Sequence, residues 1–269
     1  MSYKALAIDL DGTLLIGESL PPGHRDAVRR AADAGYSIII ATARWRQMAE
    51  RVADEIGITG PIIACSGAEV WLRQEDRDIF DHRLPDDFTR EAFEYFDNNR
   101  CIVTTTGDSE TLLALEGEPD ASLLSPEMRW VTSLTSESIS PRIATVQGSA
   151  VVNWVKETLR PKYQDRVNIY DSIGPNGKIV LTLTHRSANK GHALRAACEH
   201  LGIEPASVVA FGDAENDISM FAVAGASVGM GQAPIEVRQA ATTVTAANTE
   251  NGVGIAIDRL LETGSVSQD

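Results

Sequence analysis

Apolar residues recur along this chain in two styles. Short runs rich in β-forming residues, apolar at nearly every position, alternate with longer stretches whose apolar residues return at helical spacing. Thus "ALAIDL" is followed by "GHRDAVRRAADAG", "YSIIIATA" by "RWRQMAERVADEIG", and then "PIIACSG" arrives. Strands apolar on both faces need cover on both faces, which a parallel sheet flanked by helices supplies. Gly35 and Gly57 stand where the first two helices should stop.

After Gly67 the pattern changes. "AEVWLRQEDRDIFDHRL" reads as two strands about a charged turn, a hairpin and not a crossover unit. From about Pro85 to about Leu183 the chain then reads helix ("DDFTREAFEYFDNN"), strands ("CIVTTT", "TLLALEG"), a polar loop ("TSLTSESISP"), strand ("RIATVQG"), helix ("SAVVNWVKETLRPKY") and two strands ("RVNIYDSI", "KIVLTLT"). That order predicts a small α+β module inserted into a larger α/β fold. Alternation resumes with "NKGHALRAACEHLG", "SVVAFGD", "NDISMFAVAG", "ASVGMG" and a last helix "GVGIAIDRLLE". The expected division is a core of residues 1–84 and 184–269 with a module of 85–183. No internal repeat is visible, and the tail after Gly264 reads as disordered.

A chain of 269 residues can bury one large core or two moderate ones. No apolar run is long enough to span a bilayer, and "MSYKALAIDLDG" lacks the features of a secretory leader, so a cytoplasmic location is expected. The three cysteines, Cys65, Cys101 and Cys198, are scattered, with no CxxC pair, and read as core or surface thiols. A formal net charge of −14 argues against nucleic acid or an anionic membrane as partner. Were the ligand a small anion, a cation or dedicated donors would have to offset that field. Nothing in the pattern reads out an oligomeric state.

The polar residues that interrupt this scheme fall at the C-terminal ends of the expected parallel strands: Asp9 and Asp11, Thr42, Ser66 and Asp213. Ligands bind at that edge of an open α/β sheet. Asp9 and Asp11 could simply be turn residues capping a helix, but two carboxylates at one buried strand exit are unusual for a turn. An EF-hand is excluded by spacing, since Leu14 and Leu20 stand where its glycine and glutamate would be. Two close carboxylates tolerate each other about a divalent cation, and Asp213 in "AFGDAEND" can be a third ligand. Oxygen-only ligation suits magnesium, which takes remaining partners from water and a substrate phosphate. Lys190 opens an expected helix against the helix dipole. A solvated surface lysine is the plain alternative; a lysine aimed at a phosphate beside helix N-terminal amides explains the position better. Thr42 could donate to the same phosphate.

Together these residues resemble the motifs of the haloacid dehalogenase superfamily of phosphohydrolases, in its Cof-type, sugar-phosphatase-like branch. "DLDGTLL" from Asp9, "ATAR" ending the second strand, Lys190 in "NKGHAL" and "GDAENDISMF" from Gly212 occur in that order, and the likeness continues through "VGMGQAPIEVRQAATTVTAANTENGVGIAI". The resemblance implies a Rossmann-like, doubly wound parallel sheet with an inserted α+β cap that selects substrate. It implies that Asp9 attacks phosphorus and forms an aspartyl-phosphate, and that Asp11 acts as general acid and base while its backbone carbonyl binds Mg2+. Asp9 and Asp213 are the further metal ligands, Thr42, Lys190 and Asn216 hold the phosphoryl group, and Asp217, Arg44 and Gly12 support the site. The implied reaction is Mg2+-dependent hydrolysis of a small phosphorylated metabolite, a sugar phosphate or related phospho-acid. The alternatives are a phosphomutase using the same aspartyl-phosphate and a sugar-phosphate sensor without turnover; dehalogenation is disfavoured, because Asp11 supplies a proton donor and metal ligand that it does not need. His185 and Arg186 in "LTLTHRS" are candidate substrate contacts. The chain departs from the family where "TGR" is often found (Thr42-Ala43-Arg44), where "NGA" is often found (Ser66-Gly67-Ala68), and where Gln232 replaces the usual asparagine of "MGNA".

Overall fold

Strand β1 (Ala5–Ile8) is buried at every position, as a strand covered on both faces must be. It lies between β2 (Ser37–Ala41) and, from the far end of the chain, β12 (Val208–Gly212), parallel to both. Helix α1 (Pro22–Asp33) connects β1 to β2 and starts on a proline, which is tolerated there because the first helical N–H groups have no intrahelical partner. Helix α2 (Arg46–Ile56) leads on to β3 (Ile62–Ala64) and ends on Gly57 at φ +85°. After β3 the hairpin β4 (Glu69–Leu72) and β5 (Arg77–Asp81) extends the sheet, with β4 antiparallel to β3. The structure, a computed structural model, describes residues 2–108, 110–120, 124–173 and 179–267.

The next stretch builds a separate sheet. Helix α3 (Asp86–Asn98) precedes β6 (Ile102–Thr106), β7 (Thr111–Ala114), β8 (Met128–Val131) and β9 (Ile143–Gln147). Helix α4 (Ser149–Trp154) runs through one wide turn, Val155–Leu159, into α5 (Arg160–Tyr163). Pro161 lies just beyond that turn; a ring without an N–H cannot continue regular helical bonding. Strands β10 (Val167–Ile173) and β11 (Ile179–His185) complete a sheet of order β10-β11-β9-β6-β7-β8. Its apolar face packs a core that includes Phe88, Phe96, Leu112, Val146 and Leu181. Asn168 holds the return segment by donating to the carbonyls of His185, Arg186 and Ala188 at 3.0, 3.2 and 3.1 Å.

The first sheet then resumes. Helix α6 (Lys190–Leu201) leads to β12, followed by α7 (Ile218–Phe221), β13 (Ala226–Gly229), α8 (Ile235–Ala240), β14 (Thr243–Val244) and α9 (Gly252–Thr263). The order is β14-β13-β12-β1-β2-β3-β4-β5, an α/β sheet parallel from β14 to β3. The chain thus divides into two compact units, Met1–Phe80 with Asn189–Asp269, and Asp81–Ala188.

Three short elements have no counterpart in the sequence reading: β8, α8 and β14. Each spans six residues or fewer and is partly exposed, too short for a periodic signal. The tail is not loose through residue 267, because Val266 is 3% exposed; Gln268 and Asp269 lie outside the described residues. Among the described residues no helix is long and apolar enough to cross a membrane.

Candidate active site

Register puts the site together. Ile8 of β1 pairs with Ile40 of β2 and with Phe211 of β12, so the residues just beyond those strand ends, Asp9, Thr42 and Asp213, share one edge of the sheet. Chain order runs outward in both directions from β1 at that point, which is where an open α/β sheet leaves a crevice.

At its centre is a buried triad. Lys190 Nζ donates to Asp9 Oδ1 at 2.5 Å and to Asp217 Oδ1 at 2.6 Å; Lys190 and Asp217 are fully buried and Asp9 is 5% exposed. The sequence argument about Lys190 therefore gains a geometric reason: the first residue of α6 reaches inward across the sheet edge. Asn189 caps the helix, its Oδ1 accepting from His192 N at 2.8 Å. Asp217 is fixed in turn, its Oδ2 accepting from the backbone N–H groups of Asp213 and Ala214, both at 3.0 Å. Asp213 Oδ1 accepts from Thr13 Oγ1 at 3.0 Å.

Charge is unbalanced here. Oxygens of Asp9, Asp213 and Asp217 lie within 4.8 Å of one another, against the single ammonium of Lys190. Burial pushes the Asp9 carboxyl well above its ordinary range; Lys190 pulls it back, while Asp217 and Asp213 push further. Burial and the Asp217 charge push Asp213 up to about 6. Burial opposes the Lys190 charge, but Asp217 and Asp9 more than offset it and raise its proton affinity. An all-oxygen set with excess negative charge is what a hard divalent cation neutralises, so the residues fit Mg2+.

The remaining sequence candidates lie around this centre. Thr42 is fully buried; its N–H donates to Ile63 O at 2.8 Å, and its hydroxyl accepts from Arg44 N at 3.0 Å, which leaves the hydroxyl proton free to donate. Asn216 has a buried Oδ1 without a partner. Gly12, at φ +82°, lies so close to Asp213 that a Cβ would fall 2.2 Å from its Oδ2. Asp11 stands apart from the carboxylate cluster: its side chain is 51% exposed and gripped by Arg44, with Nη2 at 2.5 Å and Nε at 2.9 Å. The same guanidinium binds Glu18 through Nη1 at 2.6 Å.

Sequence reasoning did not find Glu18, nor the full part of Asp217, nor the residues that hold the loop after β1. Gln232 Nε2 donates to Gly12 O at 2.6 Å, Asn248 Nδ2 to Leu15 O at 3.0 Å, and His24 Nδ1 bonds Leu14 O at 2.9 Å. Only Gln232 had drawn notice, as a departure; carbonyl-directed side chains leave no spacing signature. His185 stacks on His82 with centroids 5.0 Å apart, and Arg186 donates to Asn168 Oδ1 at 3.1 Å, so both are engaged within the second unit.

Known proteins resemble this chain in sequence and in fold. The model of the haloacid dehalogenase-like hydrolases matches residues 6–257. The chain belongs to that family. Two Bacillus subtilis proteins, each named 5-amino-6-(5-phospho-D-ribitylamino)uracil phosphatase, are both 28% identical; the alignments cover 96% of this chain and 98% and 95% of theirs. A haloacid dehalogenase-like hydrolase from Bacteroides thetaiotaomicron superposes with a TM-score of 0.83 at 25% identity, covering 96% of this chain and 99% of the other. Within the family the chain is placed among the phosphatases.

Proposed function

We propose that the protein is a Mg2+-dependent phosphomonoester hydrolase working through an aspartyl-phosphate on Asp9, with a small phosphorylated metabolite, a sugar phosphate or related phospho-acid, as substrate. The observation that carries this reading is the buried Asp9 held by Lys190 at 2.5 Å beside Asp213 and Asp217. Phosphoryl transfer needs alignment and charge neutralisation above all, and a carboxylate nucleophile divides it into two easier steps. Asp9 Oδ forms the new bond to phosphorus as the bond to the leaving oxygen breaks, and Asp11 gives that oxygen its proton. Asp11 then takes a proton from water, whose oxygen bonds phosphorus as the Asp9–phosphorus bond breaks, releasing inorganic phosphate. Its half-exposed side chain must turn from Arg44 to do this. Thr42 and Lys190 orient the phosphoryl oxygens, helped by Asn216. Asp9, Asp213 and the Asp11 carbonyl would hold Mg2+, with Asp217 supporting; the ion supplies charge neutralisation between two anions.

The two relatives' names speak of a phosphorylated ribityl group, which supports a small polyol-bearing phosphate as the substrate class here. Leaving-group choice is assigned to the inserted unit. A panel of phosphorylated metabolites, read by phosphate release with and without chelator, tests the reading: release on at least one sugar or polyol phosphate, abolished by chelator and restored by Mg2+, is expected. Release that persists in excess chelator contradicts the metal assignment, and an isomeric sugar phosphate as product contradicts hydrolysis.

A further inference from the structure

The turn joining β3 to β4 has a conformation that side-chain-bearing residues rarely adopt. Cys65, Ser66 and Gly67 have φ angles of +50°, +58° and +88° in succession. Elsewhere among the described residues, non-glycine residues at positive φ occur singly, at Asp76, Arg100 and Asn251. Strain of this kind persists only where the surroundings impose it, and it gathers at functional sites.

The surroundings here are the two elements assigned to the phosphoryl group. On one side, Ser66 N donates to Thr42 O at 3.0 Å and Cys65 N to Arg44 O at 2.9 Å. On the other, Gly67 lies bare against the start of α6: a Cβ there would fall 2.3 Å from Asn189 C and 2.6 Å from Lys190 N. The turn therefore sits between Thr42 and Lys190, bonded to one loop and packed on the other helix end. Ser66 is 7% exposed, yet among the described residues nothing accepts from or donates to its hydroxyl. A hydroxyl without a protein partner, in a turn set between Thr42 and Lys190, is available to donate to a bound ligand.

We propose that Ser66 is a further donor to the phosphoryl oxygens, beside Thr42 and Lys190, and that the left-handed turn exists to hold it there. This rests on the phosphatase reading of the site. Asparagine tolerates the left-handed region better than most side chains and also carries a donor, so it can stand in for serine at this position.

The test uses inorganic phosphate as competitive inhibitor of wild type, Ser66→Gly and Ser66→Asn, with KM, kcat and Tm measured alongside. Glycine keeps the backbone conformation and removes only the hydroxyl. Ser66→Gly is expected to melt no lower than wild type while its phosphate inhibition constant rises about tenfold, as loss of one hydrogen bond to a charged group implies. Ser66→Asn should return to within about threefold of wild type. Wild-type inhibition in Ser66→Gly overturns the proposal, and so does equal weakening in both variants, which would assign the effect to turn geometry. A wild-type protein inert on phosphate esters and blind to phosphate would instead remove the phosphatase reading, and this proposal with it.

Discussion

Lys190 is the residue on which the site's electrostatics turn. Fully buried, it neutralises two carboxylates at 2.5 and 2.6 Å, and no other cation shares that duty within the triad. Taking one member from a buried ion network leaves an unpaired buried charge, which costs about 3–5 kcal/mol. Because Asp9 already has a raised proton affinity, it can take up a proton and lessen the loss. Lys190→Ala should therefore abolish turnover and lower stability by about 3 kcal/mol in urea unfolding without Mg2+. Asp213 gives a pH-dependent prediction. Its carboxyl rises from 3.8 to about 6 on folding, so its contribution to metal-free stability is full below 3.8 and lost as pH rises through about 6. A divalent cation held here would bind the deprotonated form. The gain in Tm on adding Mg2+ should accordingly be large above pH 6 and shrink below it; a gain independent of pH would place the ion elsewhere.

At the scale of elements, the site is made by three strand ends and one helix start brought into register, and by a loop after β1 that must pass very close to Asp213. Gly12 makes that approach possible through its positive φ and missing Cβ. Gly12→Ala must displace either the loop or the Asp213 carboxylate; misplacement near 1 Å typically costs on the order of 10²-fold in rate. A fall of that size in kcat, with far-UV circular dichroism unchanged, is the expected outcome. The strands that carry the site were legible in the sequence because a strand covered on both faces is apolar throughout, so a carboxylate or threonine at its exit stands out. Glu18 and Asn248 were not legible, because their roles depend on where a guanidinium and a carbonyl end up in space. Asp217 was visible as part of "GDAEND", but its grip on two backbone N–H groups comes from the tight turn Glu215–Asp217.

For the whole molecule, the α/β class and the inserted α+β stretch followed from a change in hydrophobic period after Gly67, whereas the short edge strands and α8 are stabilised by neighbours that no local pattern reveals. In a chain of net charge −14 whose candidate site sets three carboxylates around one lysine, binding an anionic substrate should depend steeply on added cation. Substitutions confined to the unit Asp81–Ala188 should shift preference among sugar phosphates far more than turnover of p-nitrophenyl phosphate. Equal losses on every substrate would make that unit structural only.

The central claim is that the first aspartate of "DLDGT" carries the phosphoryl group and the second moves its protons. Rapid quench of Asp11→Asn with labelled p-nitrophenyl phosphate tests it most directly, because that leaving group departs without a proton while water attack still lacks its base, a deficit worth about 10²–10⁴ in rate. Protein-bound, hydroxylamine-labile phosphate should accumulate and map to Asp9, and Asp9→Asn should trap none. Label on any other residue, or accumulation in Asp9→Asn, would contradict the account.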